Sequence, residues 1–514
     1  MFAIHPLRAA ACAIVSVAAP VTAQALQLDA TGASMPGVLS FDVWPEAHPF
    51  DIVLVVPSGN TGPTPLAWID PLDTRVLDVG IDLLDLLFFG VTGADGHCRI
   101  DVPLGLDPSL NDTKLHLQAL TLQFTPTLFD RVSNPNVVWF APAAAFRDRG
   151  TGSMAGRAFG TVLPRADRRW LLAGGGGGGL LSQIALQSTE IYDPATDQFT
   201  AGPSMTVQRS LHTATRLPNG TWLLAGGVGT NNDPQAACEI YDPVADTMTA
   251  VTPMLSPRMG HTATLLGNGK VLVTGGLVAL TVTPTQLSAV RDATNLTELY
   301  DPATDTWSPG PVLSTPRAGH IAIPRPDGKV LLAGGISWDP VIVIGWLPAV
   351  RASTNLYDPV TNTMAPGPTM ANARSMIDAL PLGNDRWLLA GGIGSLTLAN
   401  LGTPTATAEI YDAVANTWTT VGPMAAARGN HKAWRLGPNT FLVAGGAAGS
   451  ILFPTPLQST EVFSTVSNTF SAGPPMVFPR AGAAAFATPQ GQIQLFGGSS
   501  LGGQITNSTE WYFF

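Results

Sequence analysis

The sequence contains little cysteine, little charge and no long apolar segment beyond its N-terminus. Its three cysteines, Cys12, Cys98 and Cys238, are too few for a disulfide framework, so the stability of the fold has to come from packing. Only 12% of the residues are charged and the net charge is −10, without a basic stripe, which argues against nucleic-acid binding. Because no later run of about 20 apolar residues exists, we expect no transmembrane helix.

The first 25 residues have the pattern of a secretory signal peptide. Arg8 provides the positive charge, residues 9–21 are small and apolar, and the segment from Ala23 to Ala25 matches an A-x-A cleavage site. A membrane anchor is the alternative, but the apolar run is short and is interrupted by Pro20. We therefore expect a secreted protein, extracellular or in the periplasm or at the cell surface.

Glycine and proline are abundant, with 54 and 44 residues, and the glycines reveal an internal repeat. A Gly-Gly pair ends a short apolar run seven times, in residues 170–175, 222–227, 271–276, 330–335, 387–392, 441–446 and 493–498. The spacing of 49 to 59 residues is too long for one hairpin and is typical of one four-stranded propeller blade.

Two further marks keep the same phase as the glycines. An arginine precedes each pair, at Arg157, Arg209, Arg258, Arg317, Arg374, Arg428 and Arg480. A Glu-x-Tyr motif follows most pairs, with Glu at 190, 239, 298, 409 and 510, and with Asn355-x-Tyr357 and Glu461-x-Phe463 as variants. An Asp-Pro turn comes next in several copies, and then an aromatic residue or Met opens a further strand.

This set of marks resembles the kelch repeat, in the form also found in the central propeller of galactose oxidase. The resemblance covers residues 136–514 and implies an all-β, seven-bladed kelch-type β-propeller. Copy seven ends on its third strand, so we expect residues 136–141 to supply the closing strand and to pair with residues 510–514. Residues 26–135 carry no kelch marks and alternate in the manner of strands, which favours a small β-sandwich domain.

The blade geometry brings Arg, Gly-Gly and Glu of one copy to the same face of the ring. One interpretation is a structural Arg–Glu pair inside each blade. The other is that some arginines face the mouth of the channel, where positive charge would attract an anion. Blade 4 has Asn355 in place of Glu, so Arg317 would lose its partner there.

Blade 4 also carries a long, apolar loop at residues 336–351, and blade 3 has a related one at residues 277–295. Loops on a rigid scaffold often carry binding, and exposed aromatic residues mark interfaces. The alternative is that these loops pack on each other or on the N-terminal domain. The candidate ligand-binding residues are Arg291, Arg317, Trp338, Trp346, Arg351, Asn355 and Arg374.

Several chemistries lack the residues they require. His212, His261, His320 and His431 share one repeat position with Gly160, Ile377 and Ala483, and no carboxylate accompanies them at fixed spacing, so we predict no metal and no cofactor. All six tyrosines occupy one repeat position on the third strand, so none is spare for the copper-radical site of a galactose oxidase or for a sialidase nucleophile. No G-x-S-x-G, H-E-x-x-H or P-loop motif is present.

We therefore predict a secreted, non-catalytic kelch-repeat protein, a monomer, that recognises a protein or glycan through loops on one propeller face. The alternative is a carbohydrate-active enzyme of the epimerase or lyase type that uses an arginine-lined channel mouth. The fold alone does not decide between them. A polar axial pocket with a paired histidine and carboxylate would favour the enzyme, whereas a flat, apolar, loop-covered face would favour binding.

Overall fold

The computed structural model is built almost entirely from β-strands. It describes residues 27–31, 34–35, 37–44, 51–59, 61–66, 75–79, 87–94, 97–104, 114–122, 129–133, 136–139, 141–142, 145–165, 167–179, 182–194, 196–229, 233–279, 282–283, 286–287, 292–341, 345–396, 402–450, 454–487, 492–500 and 504–513. The signal-peptide pattern of residues 1–25 lies outside this set. A search of the described residues finds no helix with the length and apolar character needed to cross a membrane.

Two sheets of the N-terminal region share one apolar core. The first contains Gln27–Thr31, Gly37–Trp44 and Cys98–Leu104, and the second contains Phe129–Val132, Lys114–Leu122, Ile52–Ser58 and Phe88–Val91, with Asn136–Trp139 also paired to Lys114–Leu122. Short pairs are Thr61–Pro65 with Val76–Val79, and Ser34–Met35 with Ala141–Pro142. Phe41 and Val43 of the first sheet are buried against Val53 and Leu117 of the second, as expected for strands that alternate between apolar and polar residues.

Residues 145–513 contain seven four-stranded antiparallel sheets among the described segments, and we call them sheets 1 to 7. Sheets 1 to 4 contain Thr161–Pro164, Trp170–Ala173, Thr189–Asp193 and Gln198–Ala201; Thr213–Arg216, Trp222–Ala225, Cys238–Asp242 and Thr247–Val251; Thr262–Leu265, Val271–Thr274, Thr297–Asp301 and Thr306–Pro309; and Ile321–Pro324, Val330–Ala333, Thr354–Asp358 and Thr363–Pro366. Sheets 5 to 7 contain Leu380–Gly383, Arg386–Ala390, Ala408–Asp412 and Thr417–Val421; Lys432–Arg435, Thr440–Ala444, Thr460–Ser464 and Thr469–Ala472; and Ala484–Ala487, Gln492–Phe496, Ser508–Phe513 and Ala145–Gly152. This all-β arrangement is that of a β-propeller.

The fourth strand of sheet 7 comes from the N-terminal side of the repeats, but from a different segment than expected. Ala145–Gly152 pairs with Ser508–Phe513, with Phe146 opposite Tyr512. Residues 136–141 were expected in this place, and that expectation is wrong, because Asn136–Trp139 pairs with Lys114–Leu122 in the N-terminal region. Asn136–Trp139 is apolar, whereas Ala145–Gly152 contains the charged residues Arg147, Asp148 and Arg149, so composition favoured the wrong segment.

Neighbouring sheets are joined by the glycine pairs. The second glycine of each pair donates its N–H to the backbone oxygen of the next repeat's arginine, from Gly175 to Arg209 at 2.9 Å and onward to Gly498 with Arg157 at 2.9 Å. The first glycine has positive φ, and a Cβ there would overlap that same arginine oxygen in all seven repeats. The Gly-Gly motif is therefore the contact surface between sheets, where no side chain fits.

A second set of backbone hydrogen bonds closes around the axis, two residues after each arginine. Each of these residues donates its N–H to the carbonyl oxygen of the same position in a neighbouring sheet, over 2.8 to 3.4 Å, and the set is Phe159, Leu211, Gly260, Gly319, Met376, Asn430 and Gly482. All seven have φ between 53° and 63°. We call this set the axial ring.

Hairpins extend from the same face, between the second and third strands of a sheet. Those described are Gly176–Gly179 with Ser182–Ala185, Val282–Thr283 with Gln286–Leu287, Ile336–Val341 with Gly345–Val350, Ile393–Ser395 with Thr403–Pro404, and Ala447–Gly449 with Pro454–Pro456. The residue after each arginine bridges to the residue that follows the glycine pair of its repeat, and in four repeats that residue begins the hairpin, as Ile336 does for Ala318. The expectation that the loops share a face with the arginines is thus confirmed.

The axial ring predicts unequal effects of two glycine substitutions. Gly482→Ala should destabilise the fold by about 1 to 3 kcal/mol more than Gly260→Ala. Both alanines would take the same left-handed backbone, but a Cβ at Gly482 lies 2.5 Å from the Phe159 ring, whereas the nearest atom at Gly260 is 3.7 Å away. Urea unfolding of both variants measures the difference, and equal destabilisation would show that the ring tolerates a side chain at either position.

Candidate functional site

Each repeat arginine is fully buried and clamps its own sheet. Its Nη1 donates to the carbonyl oxygen of the first glycine of the pair, over 2.7 to 3.0 Å in all seven repeats. In six repeats the guanidinium also forms an ion pair with the Glu of the third strand, as Arg374 does with Glu409 at 2.8 Å. Glu409 in turn accepts hydrogen bonds from the N–H groups of Ala371 and Asn372, which lead into the arginine.

This geometry decides between the two interpretations of the arginines. The Arg–Glu pairs are inside the sheets, and the seven arginine side chains are at most 1% exposed. An arginine-lined channel mouth is therefore not present, and Arg374 has no surface to offer a ligand. Burial lowers the pKa of Arg374, and the charge of Glu409 offsets this effect only in part. Because both side chains are fully buried, the pair is an internal structural element.

Sheet 4 keeps the clamp without the carboxylate. Arg317 Nη2 donates to Asn355 Oδ1 at 3.1 Å and to the hydroxyls of Thr315 at 3.0 Å and Ser353 at 3.2 Å. Burial, together with the nearby charge of Arg351, lowers the pKa of Arg317 to about 10. Arg317 and Asn355 are 0% and 1% exposed, so the ligand-binding role expected for them is not retained.

The other candidates from the sequence belong to the loops of repeats 3 and 4. Trp338 is half-buried in an apolar cluster with Leu277, Ile336 and Leu396, which lie between the second and third strands of three different sheets. Arg351 donates from Nε to the buried Ser337 hydroxyl at 2.6 Å. Trp346 lies opposite Pro340 in the sheet-4 hairpin, but its side chain is outside the described part of the chain. Arg291 is wholly outside the described residues. The loops of repeats 3 and 4 thus pack on each other at least in part.

Three of the four repeat histidines fasten neighbouring sheets together. His212, His261 and His320 each place Nε2 at 2.9 to 3.1 Å from a threonine hydroxyl of the preceding sheet, namely Thr161, Thr213 and Thr262. All four histidines are buried. Burial and a nearby arginine lower the pKa of His261 to about 3, and burial lowers that of His431 to about 4, so these rings are neutral.

A cavity of about 420 Å³ lies on the axis, and residues of the axial ring form part of its lining. Residues from all seven sheets line it, chiefly those two to six positions after each arginine. The inner strands run away from the hairpin face. The axial ring therefore narrows the channel at the hairpin end, and the cavity continues toward the turns between the first and second strands. Cavities of this size accommodate small molecules.

Asp378 and Lys432 supply the charge that reaches this cavity from neighbouring sheets 5 and 6. Lys432 Nζ lies 2.9 Å from Asp378 Oδ2, and the two side chains are 35% and 47% exposed. Burial alone would raise the pKa of Asp378, but the Lys432 ammonium outweighs it and the pKa is lowered, so the carboxylate is ionised at neutral pH. Asp378 precedes its strand, which begins six residues after Arg374 instead of the usual four.

Sequence reasoning missed this pair, although the repeat contains a signal for it. Both residues stand four positions after the repeat arginine, and the seven residues at that position are Thr161, Thr213, Thr262, Ile321, Asp378, Lys432 and Ala484. Two adjacent copies thus carry opposite charges where the others carry none. Opposite charges in consecutive copies lie side by side once the copies form a ring.

The tyrosines and cysteines have structural surroundings. Five tyrosine hydroxyls donate to an Asp or Asn five residues later, with Tyr300 and Asp305 at 3.0 Å as an example. Cys98 and Cys238 are both free and buried, and burial raises the pKa of Cys238 to about 12. Within the described segments, no three residues among His, Cys, Asp and Glu are grouped so as to hold a metal ion.

Comparisons with known proteins identify the fold. No family model matches the chain, and no curated protein matches its sequence. Among solved structures, a novel fungal alcohol oxidase of the AA5 family, in complex with copper, aligns with a TM-score of 0.52 at 16% identity, over 72% of this chain and 75% of that one. The structure of YjhT aligns with a TM-score of 0.44 at 15% identity, over 59% of this chain and 95% of that one. The likeness to the oxidase concerns the β-propeller fold alone.

The clamp predicts which carboxylates hold the fold together. Glu409→Gln should destabilise the protein by about 3 to 5 kcal/mol, because it leaves the buried charge of Arg374 without a counter-charge. Asn355→Glu should have the opposite effect, since it gives Arg317 the partner that six repeats possess. Thermal or urea unfolding measures both, with Lys329→Met, which removes an exposed pair with Asp358, as the control expected to cost under about 1 kcal/mol. A Glu409→Gln cost as small as the control's would contradict the clamp.

The histidines predict a loss of stability in acid. Their pKa values are depressed in the fold relative to about 6.5 in the unfolded chain, so their contribution is complete above pH 6.5 and decreases as the pH falls toward 4. At pH 5, His261 and His431 should each cost about 2 kcal/mol relative to pH 7.5. Unfolding free energies at both pH values test this, and the difference should shrink in a His261→Gln/His431→Gln variant. A difference that stays unchanged in that variant must have another source.

Proposed function

We propose that the chain is a secreted, seven-bladed kelch-type β-propeller protein that binds a small polar molecule in its axial cavity without catalysis. The blades are sheets 1 to 7, preceded by a small β-sandwich domain that ends before Ala145. The observation that carries the proposal is the Asp378–Lys432 pair, whose charges reach a cavity on the axis. Export is inferred from the signal-peptide pattern of residues 1–25.

Binding is favoured over the enzyme alternative by the state of the titratable groups. The histidines beside the cavity are buried and have depressed pKa values, so they are poorly suited to take up a proton at neutral pH. The carboxylate of Asp378 is ionised and held by Lys432. The arginines that the enzyme alternative needed at the channel mouth are instead inside the sheets.

The hairpin face remains a second candidate surface for a protein or glycan. The sheet-4 hairpin, with six residues in each strand, is the longest among the described hairpins and contacts that of sheet 5. Its apolar residues pack largely against their neighbours, which leaves the axial cavity as the stronger candidate. One experiment separates the two surfaces.

Thermal-shift screening of the exported protein against free sugars, amino acids and organic acids should yield ligands that stabilise it. We expect Asp378→Asn/Lys432→Met to lose that stabilisation, because the variant removes both charges from the cavity. Deletion of residues 337–349 should leave it intact, since the hairpin lies beyond the axial ring. The N-terminus of the exported chain, expected at residue 26, is determined on the same sample.

Lys270→Met is the matched control, because it removes an exposed Lys–Asp pair with Asp301 at 3.1 Å, on the third strand of sheet 3. Stabilisation lost in the control as well would mean a nonspecific charge effect. Stabilisation lost only in the hairpin deletion would move the site to the hairpin face and overturn the proposal.

A further inference from the structure

The cavity is chemically divided into two halves. Sheets 5 and 6 contribute Asp378, Lys432 and the amide of Asn430. Sheets 7, 1 and 2 contribute side chains that are apolar, namely Ala483, Ala484, Ala485, Val162, Leu163, Ala214 and Trp222. The exception among these sheets is Thr161, whose hydroxyl is engaged by His212 at 2.9 Å. Sheets 3 and 4 add glycines and the buried rings of His261 and His320. A ligand that is polar at one end and apolar at the other therefore matches the polar and apolar parts of the lining.

The ion pair restricts the charge of that ligand. An anion bound by Lys432 alone would be repelled by the adjacent carboxylate of Asp378, whose Oδ2 lies 2.9 Å from the ammonium. A cation bound by Asp378 alone would in the same way be repelled by the ammonium of Lys432. A ligand with an ammonium and a carboxylate side by side satisfies both, because one ion pair is exchanged for two charge-assisted ones.

A polyhydroxylated ligand fits less well. Each sugar hydroxyl that leaves water needs a hydrogen-bond partner, and a hydroxyl that finds none weakens binding. The side chains of the apolar half offer no such partners apart from the engaged Thr161. Apolar carbon on the ligand would instead contact Trp222 and Val162, and the removal of that apolar surface from water is favourable.

We infer that the axial cavity binds a free α-amino acid with an apolar side chain, its ammonium on Asp378, its carboxylate on Lys432 and its side chain toward Trp222. This inference rests on the proposed function and specifies its ligand. The volume of about 420 Å³ is ample for a single amino acid.

Calorimetry with L-leucine as the probe tests the inference. We expect L-leucine to bind, and 4-methylpentanoate and 3-methylbutylamine, which lack the ammonium and the carboxylate respectively, to bind at least tenfold more weakly. D-Glucose should not bind. Asp378→Asn and Lys432→Met should each weaken leucine binding at least tenfold, with folding verified by thermal unfolding, and Lys270→Met should leave it unchanged.

A charge-reversed variant, Asp378→Lys/Lys432→Asp, keeps the ion pair and should recover part of the affinity that the single variants lose. Equal binding of leucine and 4-methylpentanoate would overturn the inference, as would full affinity in both single variants. If D-glucose binds in place of leucine and loses affinity in Asp378→Asn, the amino-acid inference fails and the axial site stands. If no compound bound by the protein is sensitive to either substitution, both the inference and the proposed function fail.

Discussion

The contact on which the rest of this architecture depends is made by a glycine pair and the arginine of the next repeat. The arginine backbone oxygen accepts a hydrogen bond from the preceding sheet, while its guanidinium binds the first-glycine oxygen of its own sheet. One residue thus belongs to two sheets at once. Because the first-glycine position has no room for a Cβ beside that oxygen, neither residue can vary independently of the other. The motif is visible in the sequence because both partners are fixed in every copy.

This constraint explains why the most prominent residues of the sequence are not the functional ones. Arginine is a common residue at binding sites, yet here burial and the ion pair with Glu keep the guanidinium inside the sheet. Five tyrosines are committed in the same way, by hydroxyl bonds to turn residues such as Asp305. A repeat that assigns its charged and aromatic residues to internal contacts leaves recognition to positions outside the motif.

The sequence contained the four-stranded repeat, its strand order and the Arg–Glu pairs, since each follows from marks that keep one phase. It misplaced the closing strand, because composition favours the apolar Asn136–Trp139, whereas Ala145–Gly152, which pairs with the last strand, contains three charged residues. Trp338 and Arg351 made the sheet-4 loop a candidate binding surface. The structure shows that Trp338 packs against residues of neighbouring loops and that Arg351 donates a hydrogen bond to Ser337. Such contacts join residues of different repeats, and a pattern read along one chain does not contain them.

Asp378 and Lys432 illustrate where a repeat protein can vary without losing its fold. Their position faces the axis, where an inner strand has no further neighbour on one side, so a side chain there is not required by the sheet. In three other repeats a threonine at this position bonds the next sheet's histidine, and sheet 5 has given up that bond. Its inner strand also begins two residues late, so the backbone at Asp378 lies outside the ladder. Sheet 5 therefore departs from the repeat pattern in both side chain and backbone, and it does so at a cavity and beside an opposite charge. Selection for binding a ligand explains this departure more simply than selection for closing the ring.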